Sequence, residues 1–511
     1  MKKLTKLFNS RLVLVSVMIL VQLAVIIYWV LDAGRYFLYY EVFCTVLSFI
    51  CVLVILNRRT NPGYKIAWII PILTLPVLGW LMYFMFGGNK TSRRTRKKMM
   101  QIKRRTEEAL PPRPDVLAEL NQLDEGAARQ AQYIQDYGAG PPGRRTDTQF
   151  LPSGEAMLTR MLEDLSTAKH FIFMEYFIIQ EGEMWNAILD ILLKKVREGV
   201  DVRLIYDDVG CINTLPYEYD RTLQAAGIQC CPFNPYIPVV SARLNNRDHR
   251  KICVIDGNVG YTGGINLADE YINAYARFGH WKDAAVRLHG EAVWNLTVMF
   301  LSLWDYIRGI REDYASYRPG LHAPLPQDND GFVQPYCDSP LDSEPVGQRV
   351  YLNMVHRARR YIYICTPYLI PDNEMIAALC LAAQSGVDVR IMTPHIPDKK
   401  YAFAVTQANY SELADSGVAI YEYTPGFVHA KVMVVDDEYA TVGTINLDYR
   451  SLYLHYECGV WMYRSRAVLQ ARDDFLETLE SCTRVTAEDC RNWPLMKRLT
   501  GAVMKIFAPL M

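Results

Sequence analysis

"HRKICVIDGNVGYTGGIN", His249 to Asn266, and "HAKVMVVDDEYATVGTIN", His429 to Asn446, share one grammar: His-x-Lys-x4-Asp-x6-Gly-x2-Asn. Five residue types recur at fixed spacing, with the copies 180 positions apart. The likeness extends outward. "AKHFIFMEYFII" (Ala168 to Ile179) answers to "ARRYIYICTPYLI" (Ala358 to Ile370), and both read as buried strands rich in aromatic and branched residues. "GVDVRLIY" (Gly199 to Tyr206) answers to "GVDVRIMT" (Gly386 to Thr393), each after a helical pattern. Offsets of 190, 187 and 180 describe a duplication with small insertions. Strand, helix, strand and motif strand form an α/β unit, in which right-handed crossovers and parallel pairing are expected. Two such units predict a pseudo-twofold domain of two α/β/α sandwich halves, 148–325 and 326–511.

The motif residues carry the chemistry. Side chains alternate along a strand, so His249 and Lys251 project to one face, as do His429 and Lys431. Lysine brings a point charge and three donors, asparagine an amide, and together Lys251, Lys431, Asn266 and Asn446 suit a phosphate pocket. Gly263, Gly264 and Gly443 allow close backbone approach, and Thr444 offers a hydroxyl where the first copy has Gly264. Displacement at phosphorus needs an attacking group on one side and a protonated leaving group on the other. Two histidines facing each other across a pseudo-twofold supply one of each, so the duplication is expected to build a single site. Asp256 and Asp436 lie an odd number of residues from their histidines and should face away, acting structurally. No carboxylate cluster has convincing magnesium or zinc spacing, so neither metal nor cofactor is expected. "QDNDGF" (Gln327 to Phe332) reads as a turn.

Composition narrows the class. The 511 residues are 50% hydrophobic with zero net charge, which argues against a general polyanion binder and against nucleic acid as partner. Twelve scattered cysteines without a C-x-x-C pair suggest a reducing compartment rather than a disulfide framework. The first 105 residues read as a membrane region with apolar runs at about 12–31, 36–56 and 66–86, the last carrying Pro71 and Pro76. The positive-inside rule favours a cytoplasmic C-terminal region, as does a re-entrant third run. The basic cluster "KTSRRTRKK" would then meet anionic lipid at the membrane surface. Residues 106–147 read as a tether with some helix, and "WPLMKRLTGAVMKIFAPLM" at the C-terminus as an amphipathic helix.

Both motif stretches resemble the HKD motifs of the phospholipase D superfamily, and the chain is similar to its bacterial cardiolipin synthase family. "NPGYKIAWIIPILTLPVLGWLMYFMFGGNK" is similar to that family's N-terminal membrane segment, and "NNRDHRK" and "NLDYRSLYLHYECGV" to its motif surroundings. The resemblance implies a multi-pass cell-membrane enzyme acting on phosphatidylglycerol through a phosphatidyl-histidine intermediate, with His249 as nucleophile and His429 as acid and base. Hydrolysis of phosphodiesters, of lipid ahead of nucleic acid, is the alternative. Glu457 resembles the carboxylate that orients a motif histidine, and Asp283 is the candidate for the first half. Glu175 reads equally as an active-site carboxylate or a strand-end residue.

Overall fold

A computed structural model describes residues 17, 20–25, 27, 28, 37–58, 60–87, 93–235, 246–322, 324–327, 330–341 and 344–510. They fall into two compact units: Met1–Lys90 with Tyr236–Asn246 and Lys505–Met511, and Thr91–Pro235 with Arg247–Met504.

In the first unit the run expected at 12–31 lies mostly outside the described residues. The second run forms the helix Phe37–Leu56, of which Leu38–Leu56 is long and apolar enough to cross a membrane. The third run is not one helix. Pro62–Thr74 ends at Leu75 and Pro76–Phe86 begins beside it, because proline at position 76 disfavours helical backbone in the residue before it. The two pieces fold together so closely that a Cβ on Gly79 would lie 2.4 Å from Pro71 O. Ile55, Trp68 and Ile72 form a small buried cluster, against which Leu510 packs.

In the second unit, residues 106–147 are folded rather than a tether. Helices Pro114–Leu123 and Glu125–Tyr137 bury Val116, Leu120, Ala127, Ala131 and Ile134 in the core of the second half. The first half contributes strands β1 (Thr146–Leu151), β2 (Phe171–Tyr176), β3 (Asp201–Asp207), β4 (Gln229–Phe233), β5 (Ile252–Ile255), β6 (Val259–Gly263), β7 (His280–Lys282) and β8 (Ala285–Gly290). The second contributes β9 (Phe332–Asp338), β10 (Tyr361–Cys365), β11 (Leu369–Ile370), β12 (Asp388–Pro394), β13 (Ala419–Tyr423), β14 (Gly426–Val428), β15 (Val432–Val435), β16 (Tyr439–Gly443), β17 (Leu447–Asp448), β18 (Glu457–Tyr463) and β19 (Cys482–Val485).

Sheet order is β1-β8-β6-β5-β2-β3-β4 in one half and β9-β18-β16-β15-β10-β12-β13 in the other, with β19 added at the edge. The orders correspond strand for strand, as a duplication requires. Parallel pairing holds for β2, β3 and β4 and for β10, β12 and β13. It fails for the motif strands: β5 and β15 run antiparallel to β2 and β10, and each turns back in a hairpin to β6 or β16.

The hairpin turns explain the motif aspartates. Asp256 and Gly257 both have positive φ, as do Asp436 and Asp437, and Asn258 N and Glu438 N bond back to Ile255 O and Val435 O. This tight turn suits Asp-Gly and Asp-Asp, since both types tolerate left-handed backbone. Asp256 then accepts from the backbone N–H groups of Lys169, His170 and Phe171 at 2.8 Å each. Asp436 does the same for Arg359, Arg360 and Tyr361 at 2.7–2.9 Å. Each aspartate fastens the start of the neighbouring strand at the end remote from its histidine.

Between the halves lies one continuous core. Phe173, Val254 and Phe300 from the first half share it with Tyr363, Val434, Val460 and Phe475 from the second. The C-terminal helix Leu495–Ile506 rests Gly501 on Ala404 and Ala408 and leaves Leu495, Met496, Leu499 and Val503 exposed on another face. The twelve cysteines are all free thiols.

Candidate active site

The two halves exchange short pieces of backbone. β14 pairs in parallel with β7, and His429 N donates to Lys282 O at 2.7 Å. In the pseudo-equivalent place Asp248 bridges in parallel to Tyr456, and His249 N donates to Tyr456 O at 2.9 Å. Each motif histidine is therefore stitched beside the residue that precedes a carboxylate of the opposite half.

The carboxylates pair crosswise as a result. His249 Nδ1 lies 3.0 and 2.9 Å from the two oxygens of Glu457, and His429 Nδ1 lies 2.7 Å from Asp283 Oδ2. The sequence reading gave Asp283 to the first half; it serves the second. A carboxylate only accepts, so it holds the ring proton on Nδ1 and leaves the Nε2 lone pair outward. Among the described residues no group bonds either Nε2. Glu457 and Asp283 are themselves fully buried.

Two small residues of the motifs, Thr444 and Gly264, lie against these carboxylates. Thr444 Oγ1 donates to Glu457 Oε2 and accepts from Cys458 N at 3.0 Å. At Gly264 a Cβ would lie 2.1 Å from Asp283 Oδ1, so only glycine lets that carboxylate pack there. The asparagines are partly engaged too. Asn266 accepts from Ile178 N at 3.0 Å and donates to Tyr271 OH at 2.7 Å, while Asn446 donates to Ser451 Oγ at 3.1 Å. Among the described residues each keeps one N–H of its amide unbonded.

Lys251 Nζ donates to His249 O at 2.6 Å, and Lys431 Nζ to His429 O, each bond bringing the ammonium back beneath its own histidine. Both lysines are 1% exposed, so neither charge is solvated. Burial lowers Lys251 to about 8 and Lys431 to about 7, with nearby Lys251 adding repulsion in the second case. The histidines move the same way. Burial and then Lys431 bring His429 down to about 4, against the pull of Asp283; burial, Lys251, Lys431 and His429 hold His249 well below its usual value. Burial resists the charge on Asp283, but His429 and Lys431 outweigh it and keep the carboxyl below the usual range. Asp283 and Glu457 favour both lysine charges but do not offset the burial of the two ammonium groups. Phe177 stands edge-on to His249 at 5.1 Å, and Trp281 and Tyr271 flank His429 at 5.3 and 5.5 Å.

Two features escaped the sequence reading. Arg250, the residue inside His-x-Lys, is buried with Glu175 at 2.8 Å and Asp248 at 3.0 Å. Glu175 is thus part of a buried charge cluster, its carboxyl raised well above the usual range by burial. His455 lies with its ring centroid 5.6 Å from that of His249 and Nδ1 3.7 Å from Glu457 Oε1. Its signal was present: two residues before Glu457 on extended backbone puts it on the same face. His249, His455 and Glu457 have donor atoms within 4.8 Å of one another, yet the positive charges of Lys251, Lys431 and Arg450 around them oppose a bound cation.

A duplicated α/β fold holding two lysine-backed, carboxylate-oriented histidines defines a phosphoryl-transfer protein of the phospholipase D-like class. The sequence model described as "Cardiolipin synthase, PLD-like domain" matches residues 161–286 and 351–479, and "Phospholipase_D-nuclease N-terminal" matches 46–88. The chain belongs to the cardiolipin synthase family. It is 34% identical to a cardiolipin synthase of Geobacillus sp. (strain WCH70) over 92% of each chain. It is 44% identical to a Streptococcus mutans protein whose description states no activity, over 90% of this chain and 99% of the other. The crystal structure of phosphatidylserine synthase from Haemophilus influenzae Rd KW20 shares the fold, with a TM-score of 0.54 and 18% identity over 75% of this chain and 98% of that one.

Proposed function

We infer that this enzyme is a cardiolipin synthase that transfers a phosphatidyl group from one phosphatidylglycerol to a second, releasing glycerol. The observation that carries the reading is the crosswise pairing of His249 with Glu457 and His429 with Asp283, which makes two motifs into one site with two outward Nε2 atoms. In the proposed mechanism Lys251, Lys431 and the free amide N–H groups of Asn266 and Asn446 hold the phosphodiester oxygens. Binding that anion offsets the lysine charges and raises the affinity of His429 for a proton, which its Nε2 takes up from solvent as the substrate binds. His249 Nε2 attacks phosphorus; the bond to the headgroup oxygen breaks, and His429 gives the departing glycerol its proton. The second phosphatidylglycerol then offers a headgroup hydroxyl. His429 takes its proton, the oxygen attacks phosphorus, and the bond to His249 breaks, returning both histidines to their starting state.

The apolar helix Phe37–Leu56 supports membrane association, where both substrates reside. The basic residues of Arg93–Ala109 favour a cytoplasmic catalytic unit in a multi-pass arrangement. The test is purified protein in mixed micelles with phosphatidylglycerol as the only lipid, followed by mass spectrometry. Cardiolipin and glycerol are expected from the wild type and neither from His249→Ala or His429→Ala. Phosphatidic acid as sole product would make the enzyme a hydrolase.

A further inference from the structure

The proposed reaction joins two anionic lipids, and the two motif lysines account for only one phosphate. The attacking hydroxyl of the acceptor is separated from the acceptor's own phosphate by the length of a glycerol, so that second phosphodiester has to rest just outside the catalytic pocket. A neutral acceptor such as ethanol would make no such demand.

The turn between Asn446 and Glu457 carries groups beside the motif histidine, with the His455 ring centroid 5.6 Å from that of His249. Asp448 caps it by accepting from Ser451 N at 2.8 Å, and the helix Tyr449–Tyr453 follows. Leu454 N and His455 N then both donate to Arg450 O, at 3.0 and 3.1 Å. Arg450 and His455 are therefore held on one tight turn, whose end leads directly into Glu457. His455 is 8% exposed, and neither ring nitrogen has a hydrogen-bond partner among the described residues. The 3.7 Å approach to Glu457 is too long for one. A buried imidazole in that condition is destabilising unless a ligand completes it. Burial, against the pull of Glu457 and with the repulsion of Arg450, brings it down to about 3, so the ring is neutral and presents one donor and one acceptor. That is the complement of a hydroxyl. The Arg450 guanidinium is partly buried and makes no ion pair or hydrogen bond among the described residues, while its charge acts on both His455 and Asp448. Lys399, exposed on another loop, adds positive charge that reaches His249 and Asp448.

We propose that Arg450 and His455 form the acceptor subsite, Arg450 holding the phosphodiester of the incoming phosphatidylglycerol and His455 bonding a hydroxyl of its glycerol headgroup. This assignment rests on the transferase reading above. It explains why a turn beside the nucleophile carries an arginine without a carboxylate partner and a histidine without a hydrogen bond.

Acceptors that differ in charge test it. The enzyme is supplied with phosphatidylglycerol in mixed micelles containing ethanol, and cardiolipin and phosphatidylethanol are quantified together. Arg450→Gln is expected to lower cardiolipin formation by about tenfold or more, the value of a lost charge-assisted contact, while phosphatidylethanol stays within about twofold. Arg450→Lys should recover part of the cardiolipin, and His455→Asn should shift the ratio in the same direction as Arg450→Gln. If both products fall by one factor in Arg450→Gln and His455→Asn, the two residues support the donor site or the fold, and the subsite is wrong. An unchanged ratio with undiminished rates also overturns it, leaving the transferase reading intact. A wild type that makes neither product would remove the transferase reading itself.

Discussion

Replacing Lys431 by methionine should abolish transfer and yet make the catalytic unit more stable at pH 7. The Lys431 ammonium is 1% exposed and falls from an ordinary 10.5 to about 7, chiefly by burial. The sign follows from proton counting. Between pH 7 and 10.5 the unfolded chain binds more protons at this group than the native one, so native stability rises with pH across that window. At pH 7 the unfavourable folding contribution of the lysine is on the order of 4 kcal/mol. Methionine has a similar apolar stem and no charge, and it gives up one bond from Nζ to His429 O, worth about 1 kcal/mol. A net gain on the order of a few kcal/mol remains. It should shrink by about 1 kcal/mol between pH 7 and pH 8 as the wild-type ammonium loses its proton. The assay is thermal melting of both proteins in the same detergent at the two pH values, with cardiolipin formation measured in parallel. A Lys431→Met protein that melts below the wild type at pH 7, or a difference that does not narrow by pH 8, would refute the reasoning that burial of this cation outweighs the pull of Asp283 and Glu457.

Other substitutions test other parts of the site. Glu457→Gln keeps the shape but removes the charge behind His249 and allows the wrong ring tautomer; single-turnover glycerol release should slow by between about tenfold and 10⁴-fold with melting little changed. Gly264→Ala places a Cβ against Asp283 Oδ1 and should cost roughly 10–100-fold in turnover by tilting His429, measured under saturating lipid. Asp256→Ala removes the acceptor for three backbone N–H groups and should lower stability by about 1–3 kcal/mol in denaturant melts, while the folded fraction retains turnover. The histidines contribute their own pH dependence. Burial brings His429 down to about 4 and holds His249 well below its usual value, so both are neutral in the native state where the unfolded chain begins to take up protons. Stability should fall as pH drops from about 6.5 toward 4, and His429→Gln should remove part of that loss in melts across the range.

The duplication was legible because each feature that defines it is local. Buried strands such as Phe171–Tyr176 and Tyr361–Cys365 declare themselves by continuous apolar and aromatic residues, and the odd spacing from His249 to Asp256 already turns the aspartate away from the pocket. The pairing direction of the motif strands was not legible, because "DGN" and "DDE" signal a hairpin to the following strand and say nothing of which strand lies on the other side. The exchange of carboxylates was hidden for a similar reason. Asp283 and Glu457 reach the opposite histidines only because Lys282 and Tyr456 pair across the halves, and that contact spans more than 140 residues of sequence. The third apolar run carried the sign of its break in Pro76, although its apolar composition alone suits one helix as well as two.

The central claim is that the two motifs make one site with unequal duties. Its most direct test is to quench the enzyme during turnover on phosphatidylglycerol at mildly alkaline pH, digest it, and locate any phosphatidyl adduct by mass spectrometry. The account predicts an adduct on His249 alone, absent from His249→Ala and depleted in His429→Ala, where the departing glycerol has no proton donor. An adduct on His429, or adducts on both histidines that turn over independently, would contradict it.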